Sequence, residues 1–156
     1  MKVLAIGERF NQERWSPVLS NEYSFSLRVR MGLYNRGPRR EFLDKLGVRW
    51  THGINLLWPS PTPGEWDNKE AQQVVAAIAS HVVCEYDYVL LFGRRVCDAW
   101  GVPYRVGQVF DGPVVVSGYL MESTAKWMPL PHPSGRNRAW NDPEVKKKVR
   151  ALAESL

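Results

Sequence analysis

Tyr86-Asp87-Tyr88-Val89-Leu90-Leu91-Phe92-Gly93-Arg94-Arg95-Val96-Cys97-Asp98-Ala99-Trp100 joins an apolar run without alternation to a glycine and then to apolar residues at helical spacing. A strand wetted on one face alternates apolar with polar side chains, whereas a parallel strand covered on both faces reads as nearly continuous. Tyr86 to Phe92 is therefore predicted as a buried parallel strand, and Gly93 as the turn into a helix carrying Val96, Cys97, Ala99 and Trp100.

The segments upstream keep the same alternation. Asp67-Asn68-Lys69-Glu70 predicts a helix through Val74, Val75 and Ile78 to Ser80 or His81, capped by Asp67 or Asn68. Before it, Gly53-Ile54-Asn55-Leu56-Leu57-Trp58 reads as a strand ended by the proline-rich run Pro59 to Gly64. Pro38 to Gly47 reads as a short helix burying Phe42, Leu43 and Leu46, with proline in its first turn and glycine after its last. Lys2 to Ile6 forms a first strand, followed by a polar loop beginning Gly7-Glu8-Arg9-Phe10-Asn11. Gln12 to Asn35 shows no clear helical period and reads as an ordered excursion from the scaffold.

Downstream, Tyr104 to Phe110 and Pro113 to Val116 read as short strands, and Lys126-Trp127-Met128-Pro129-Leu130 as a last strand entering Pro131-His132-Pro133-Ser134-Gly135-Arg136-Asn137. A basic helix with Val145, Val149 and Leu152 on one stripe closes the chain. The expected fold is α/β: a three-layer α/β/α sandwich around a central, mainly parallel sheet of four or five strands, forming a single domain over residues 1–156. In such folds the working surface is built from loops at the carboxyl ends of the strands.

Composition narrows the function class. With 156 residues and 44% hydrophobic content, one sizeable core is expected. The apolar start Val3-Leu4-Ala5-Ile6 ends at Gly7-Glu8-Arg9, so neither a signal peptide nor a membrane span is expected. A net charge of +5, from 21 Lys and Arg against 16 Asp and Glu, favours a polyanionic partner without naming one. Cys84 and Cys97 read as two buried thiols of a reducing compartment. They and the dispersed His52, His81 and His132 have no metal-ligand spacing, and no metal or cofactor is expected.

Three segments in this order, Gly7-Glu8-Arg9-Phe10-Asn11, Gly53-Ile54-Asn55-Leu56-Leu57-Trp58-Pro59 and His132-Pro133-Ser134-Gly135-Arg136-Asn137, resemble the uracil-DNA glycosylase superfamily, especially its single-strand-selective and mismatch-specific branches. The last is similar to that family's His-Pro-Ser loop, and Gly93-Arg94-Arg95 is similar to a recurring scaffold element. The resemblance implies a monofunctional, metal-free glycosylase that hydrolyses the N-glycosidic bond of uracil or a related pyrimidine flipped out of DNA. It also implies a monomer of the cytoplasm or nucleoid, or of the nucleus in a eukaryotic cell, taking part in base excision repair.

The residue types suit that chemistry. An extruded base must be gripped by its edge, and the Asn55 carboxamide both donates and accepts, as the O4 and N3 edge of uracil requires. His132 is suited to donate a hydrogen bond to O2 as charge develops there, and Glu8 to orient water and stabilise positive charge at C1′. The family's first motif often continues into a Pro-Gly or Pro-Tyr turn. Here it continues as Arg9-Phe10-Asn11, so Asn11 is an alternative water-positioning residue and Phe10 a candidate to stack on the base. Ser134 is expected to hold a phosphate, and Arg136 to enter the vacated stack or grip the strand. Two other readings stay open: a nucleic-acid-binding homologue with weak or no activity, and a hydrolase of free nucleotides or nucleosides.

Overall fold

The structure, a computed structural model, describes residues 2–9, 52–57, 66–132, 138–145, 147–148 and 151. In chain order come β1 (Val3–Arg9), β2 (His52–Leu57), α1 (Asn68–Glu85), β3 (Tyr88–Phe92), α2 (Arg94–Ala99), β4 (Val114–Val116), β5 (Tyr119–Met121), β6 (Lys126–Leu130) and a 3-10 helix at Arg138–Asn141. Four strands make one sheet in the order β2-β1-β3-β6, and every pairing in it is parallel. The excursion expected over 12–35 and the helix expected over 38–47 lie outside the described residues. Of the last helix, residues 143–145, 147–148 and 151 are described as helical.

Both faces of this sheet are dry. Leu4, Ile6, Ile54, Leu56, Val89, Leu91 and Trp127 join one core cluster with Val75, Ala79 and Val82 of α1 and with Val96 and Cys97 of α2. Side chains alternate across a strand, so Val3, Ala5, Leu90, Phe92, Met128 and Leu130 belong to the other face, and each is at most 1% exposed. Burial on both faces is why β1 and β3 read as continuous apolar runs. Within the core, Trp127 packs against Trp100 with the rings tilted by 43° and their centroids 5.2 Å apart, and the Trp127 indole N–H donates to Ser123 Oγ at 3.0 Å.

Several boundaries differ from the sequence reading, each for a local reason. Strand β1 passes Ile6 and runs to Arg9, because Gly7 and Arg9 stand in register with Asn55 and Leu57 of β2. Glu8 is thus a strand residue and not part of a loop. Helix α1 runs past His81 to Glu85, since Val82 and Val83 still face the core and His81 meets Glu85 one turn on at 2.6 Å. Its cap is Asp67, whose carboxylate accepts the Glu70 N–H at 3.0 Å. Strand β3 begins at Tyr88, two residues later than expected: the Lys2 carbonyl accepts the N–H groups of both Asp87 and Tyr88, and the Asp87 carboxylate accepts the Lys2 N–H.

Tyr104 to Phe110 is not a strand. It is a turning segment with Gly107 at φ +79°, and Phe110 alone forms an isolated antiparallel bridge, to Trp127. The unforeseen β5 pairs antiparallel with β4 through Ser117 and Gly118, at φ +50° and +80°. Two consecutive left-handed residues are what a tight hairpin needs to match strand twist. This hairpin is a separate two-stranded sheet and adds no strand to the parallel one.

Proline in β6 is tolerated for a reason visible in its neighbours. The Trp127 N–H and C=O both face Phe110, away from β3, and the Pro129 carbonyl faces the same way, accepting the Gly107 N–H at 3.1 Å. The missing donor of Pro129 therefore lies on the outer side of an edge strand. The thiols also differ from expectation. Cys97 is buried, and desolvation, reinforced by Asp98, pushes it up to about 12. Cys84, by contrast, is exposed on the last turn of α1, where its thiol meets the Ser80 carbonyl at 3.0 Å.

Candidate active site

The order β2-β1-β3-β6 contains a reversal: from β1 the chain goes to β2 on one side, then to β3 and β6 on the other. Where connections depart in opposite directions, the carboxyl ends of the two central strands are where α/β folds of this kind place their ligand crevice. Here those strands are β1 and β3, and the residues at their carboxyl ends are Glu8-Arg9 and Phe92-Gly93.

Two titratable side chains meet at this point. Glu8 is the penultimate residue of β1, and His132 lies two residues beyond β6. His132 Nε2 stands 3.5 Å from Glu8 Oε2, with the Glu8 side chain 19% exposed and that of His132 40% exposed. Both groups are thus walled by protein yet reachable from solvent. The contact joins residues far apart in sequence and exists because β1 and β6 flank the same strand, β3.

Gly93, just past the end of β3, lies against both. A Cβ built there would stand 3.2 Å from Glu8 Oε1 and 3.5 Å from His132 Cδ2. The backbone at Gly93 has φ +102°, and its N–H is anchored on the Leu130 carbonyl at 2.9 Å, two residues before His132. One backbone hydrogen bond thereby ties the end of β3 to the segment that delivers the histidine.

Arg94 and Arg95 follow directly, both exposed at the start of α2. The Arg94 guanidinium lies 4.9 Å from the Tyr104 ring centroid, and that of Arg95 lies 5.8 Å from the Trp66 ring. Cation–π stacking orients a guanidinium without consuming its N–H donors. Among the described residues neither arginine forms an ion pair.

Of the residues singled out from sequence, the structure brings Glu8 and His132 together. Asn55 takes its place in β2, in register with Gly7, the residue preceding Glu8. Phe10, Asn11, Ser134 and Arg136 lie outside the described residues. The sequence marks Gly93 only as a turn and a scaffold element. Its position beside the two ionisable groups follows from strand order, although a glycine ending a continuous apolar strand was the available signal. Among the described residues no group of three or more His, Cys, Asp or Glu is placed to hold a metal ion, and no helix is long and apolar enough to cross a membrane.

No protein-family model matches this chain, and no curated protein matches it.

Proposed function

We propose that this protein is a DNA glycosylase that hydrolyses the N-glycosidic bond of uracil or a related modified pyrimidine extruded from DNA. The observation that carries the proposal is the Glu8–His132 pair, 3.5 Å apart at the switch point of a parallel sheet. It is supported by the resemblance of the segments holding Glu8, Asn55 and His132 to the uracil-DNA glycosylase superfamily. It is supported also by the two arginines after Gly93, exposed and in no ion pair among the described residues, which suit backbone phosphates. We further propose that helices cover the second dry face of the sheet, completing a three-layer α/β/α sandwich.

In the proposed reaction the base leaves its stack and is read by Asn55 along one edge. As the C1′–N1 bond breaks, its electron pair departs with the base. His132 donates a hydrogen bond to the carbonyl oxygen on which this charge gathers. The oxygen of a water held by the Glu8 carboxylate forms the new bond to C1′, and the water proton passes through Glu8 to solvent. The products are an abasic sugar and the free base, protonated from solvent.

The test is mass-resolved base release from oligonucleotides containing uracil, thymine, 5-hydroxymethyluracil or hypoxanthine, each single-stranded and in duplex, with deoxyuridine and its nucleotides alongside. Release of at least one pyrimidine from DNA, with the free nucleoside and nucleotides untouched, is expected. Binding of these oligonucleotides without any release contradicts the proposal, as does hydrolysis confined to free nucleosides or nucleotides.

A further inference from the structure

We infer that Gly93 is the positioning residue of this site: its missing side chain is the space that lets the Glu8 carboxylate and the His132 imidazole approach the same reacting atoms. The inference rests on the proposed glycosylase reading for its catalytic consequence, but its geometry stands apart from the reaction. An added Cβ at Gly93 would meet three atoms of the pair: Glu8 Oε1 at 3.2 Å, His132 Cδ2 at 3.5 Å and His132 Cβ at 3.6 Å. The first distance is closer than an ordinary van der Waals contact, so the carboxylate must yield. The pair itself is 3.5 Å apart, and a shift of a few tenths of an ångström in the carboxylate changes how the two groups together face a substrate.

Gly93 is also held where it can act in this way. Its N–H is fixed on the Leu130 carbonyl, and Cys97 at the first turn of α2 donates its own N–H to the Gly93 carbonyl. Strand β3 on one side, α2 on the other and β6 alongside hold the backbone, so a methyl group there displaces side chains before it displaces main chain. Positive φ alone does not account for the position, because Gly112 has nearly the same φ, +98°, with nothing within 4 Å of an added Cβ.

That pair of glycines supplies the experiment. Gly93→Ala and Gly112→Ala put alanine at a φ of +102° and +98°, but only the first puts a methyl group against Glu8 and His132. Gly93→Ala is expected to lower kcat for base release by about tenfold or more, with KM within about twofold, as small displacements of catalytic groups do. Gly112→Ala is expected to leave both unchanged. The readout independent of activity is the His132 imidazole 15N resonance at fixed pH, which Glu8→Gln is expected to move by replacing the carboxylate 3.5 Å away. Gly93→Ala should move it in the same direction and Gly112→Ala should not.

A His132 resonance at its wild-type position in Gly93→Ala overturns the inference. If the wild-type protein releases no base, the proposed function fails, while the resonance still decides the role of Gly93. If Gly93→Ala does not fold, the double variant Glu8→Ala/Gly93→Ala decides: recovery of folding identifies the clash with the carboxylate as the cause and upholds the inference. Failure of both, with Gly112→Ala folded, makes Gly93 a requirement of the backbone alone and overturns it.

Discussion

A carboxylate facing an imidazole can divide two tasks that conflict in a single group: holding a nucleophile against developing positive charge, and donating to developing negative charge. Glu8 and His132 have the reach and partial exposure for this. Their candidacy was legible because each follows a predicted strand within a motif of suitable chemistry. Their contact was not, since nothing local to residue 8 or 132 says that β1 and β6 flank β3. Cysteine behaviour makes a separate prediction at this scale. Burial raises the Cys97 thiol from an ordinary 9.0 to about 12, so the folded state holds that proton more tightly than the unfolded chain. The resulting contribution to stability is fully present below about pH 9 and is lost as pH rises toward about 12. At pH 8.5, alkylation followed by mass mapping should label exposed Cys84 and leave Cys97 untouched until the protein is unfolded. Equal labelling of both in the folded protein contradicts this burial.

Among the elements, the β3–Gly93–α2 unit was the most legible, because a run buried on both faces leaves no ambiguity of period and its glycine marks the turn. The end of β1 was hidden: polar Glu8 and Arg9 look like loop residues, and only the ladder to β2 keeps them extended. The β4–β5 hairpin was missed because β5 has just three residues and two of them, Tyr119 and Leu120, are exposed, which removes any amphipathic pattern. Helix α1 packs on β2, the strand bearing Asn55, and its start depends on one side chain. Replacing that cap by Asp67→Ala should cost about 1 kcal/mol, seen as a lower urea midpoint with an unchanged slope. An unaltered midpoint means that the carboxylate does not cap the helix.

For the whole molecule, the sheet order determines where chemistry can occur. Parallel strands send their carboxyl ends to one side, and the reversal at β1 and β3 marks where folds of this kind place their ligands. The alternation of strands and helices made the parallel sheet legible, whereas its order depends on long-range pairing that no local pattern encodes. On the proposed function, a net charge of +5 and the two exposed arginines after Gly93 predict electrostatic binding of a single DNA strand. The logarithm of the affinity should fall with that of salt concentration at a slope of about −2 to −4, if three to five phosphates are neutralised. Arg94→Ala/Arg95→Ala should flatten that slope, and a wild-type slope near zero contradicts a phosphate-tracking surface.

The central claim is that Glu8 and His132 act as one unit on one extruded base, and a double-mutant cycle on single-turnover base release from uracil-containing DNA tests it most directly. Glu8→Gln and His132→Ala should each slow release by about a hundredfold with DNA affinity nearly unchanged. The double variant should be little slower than the worse single one, because residues that act together do not lose their effects additively. Wild-type release by either single variant, or strictly multiplicative losses in the double, contradicts the account.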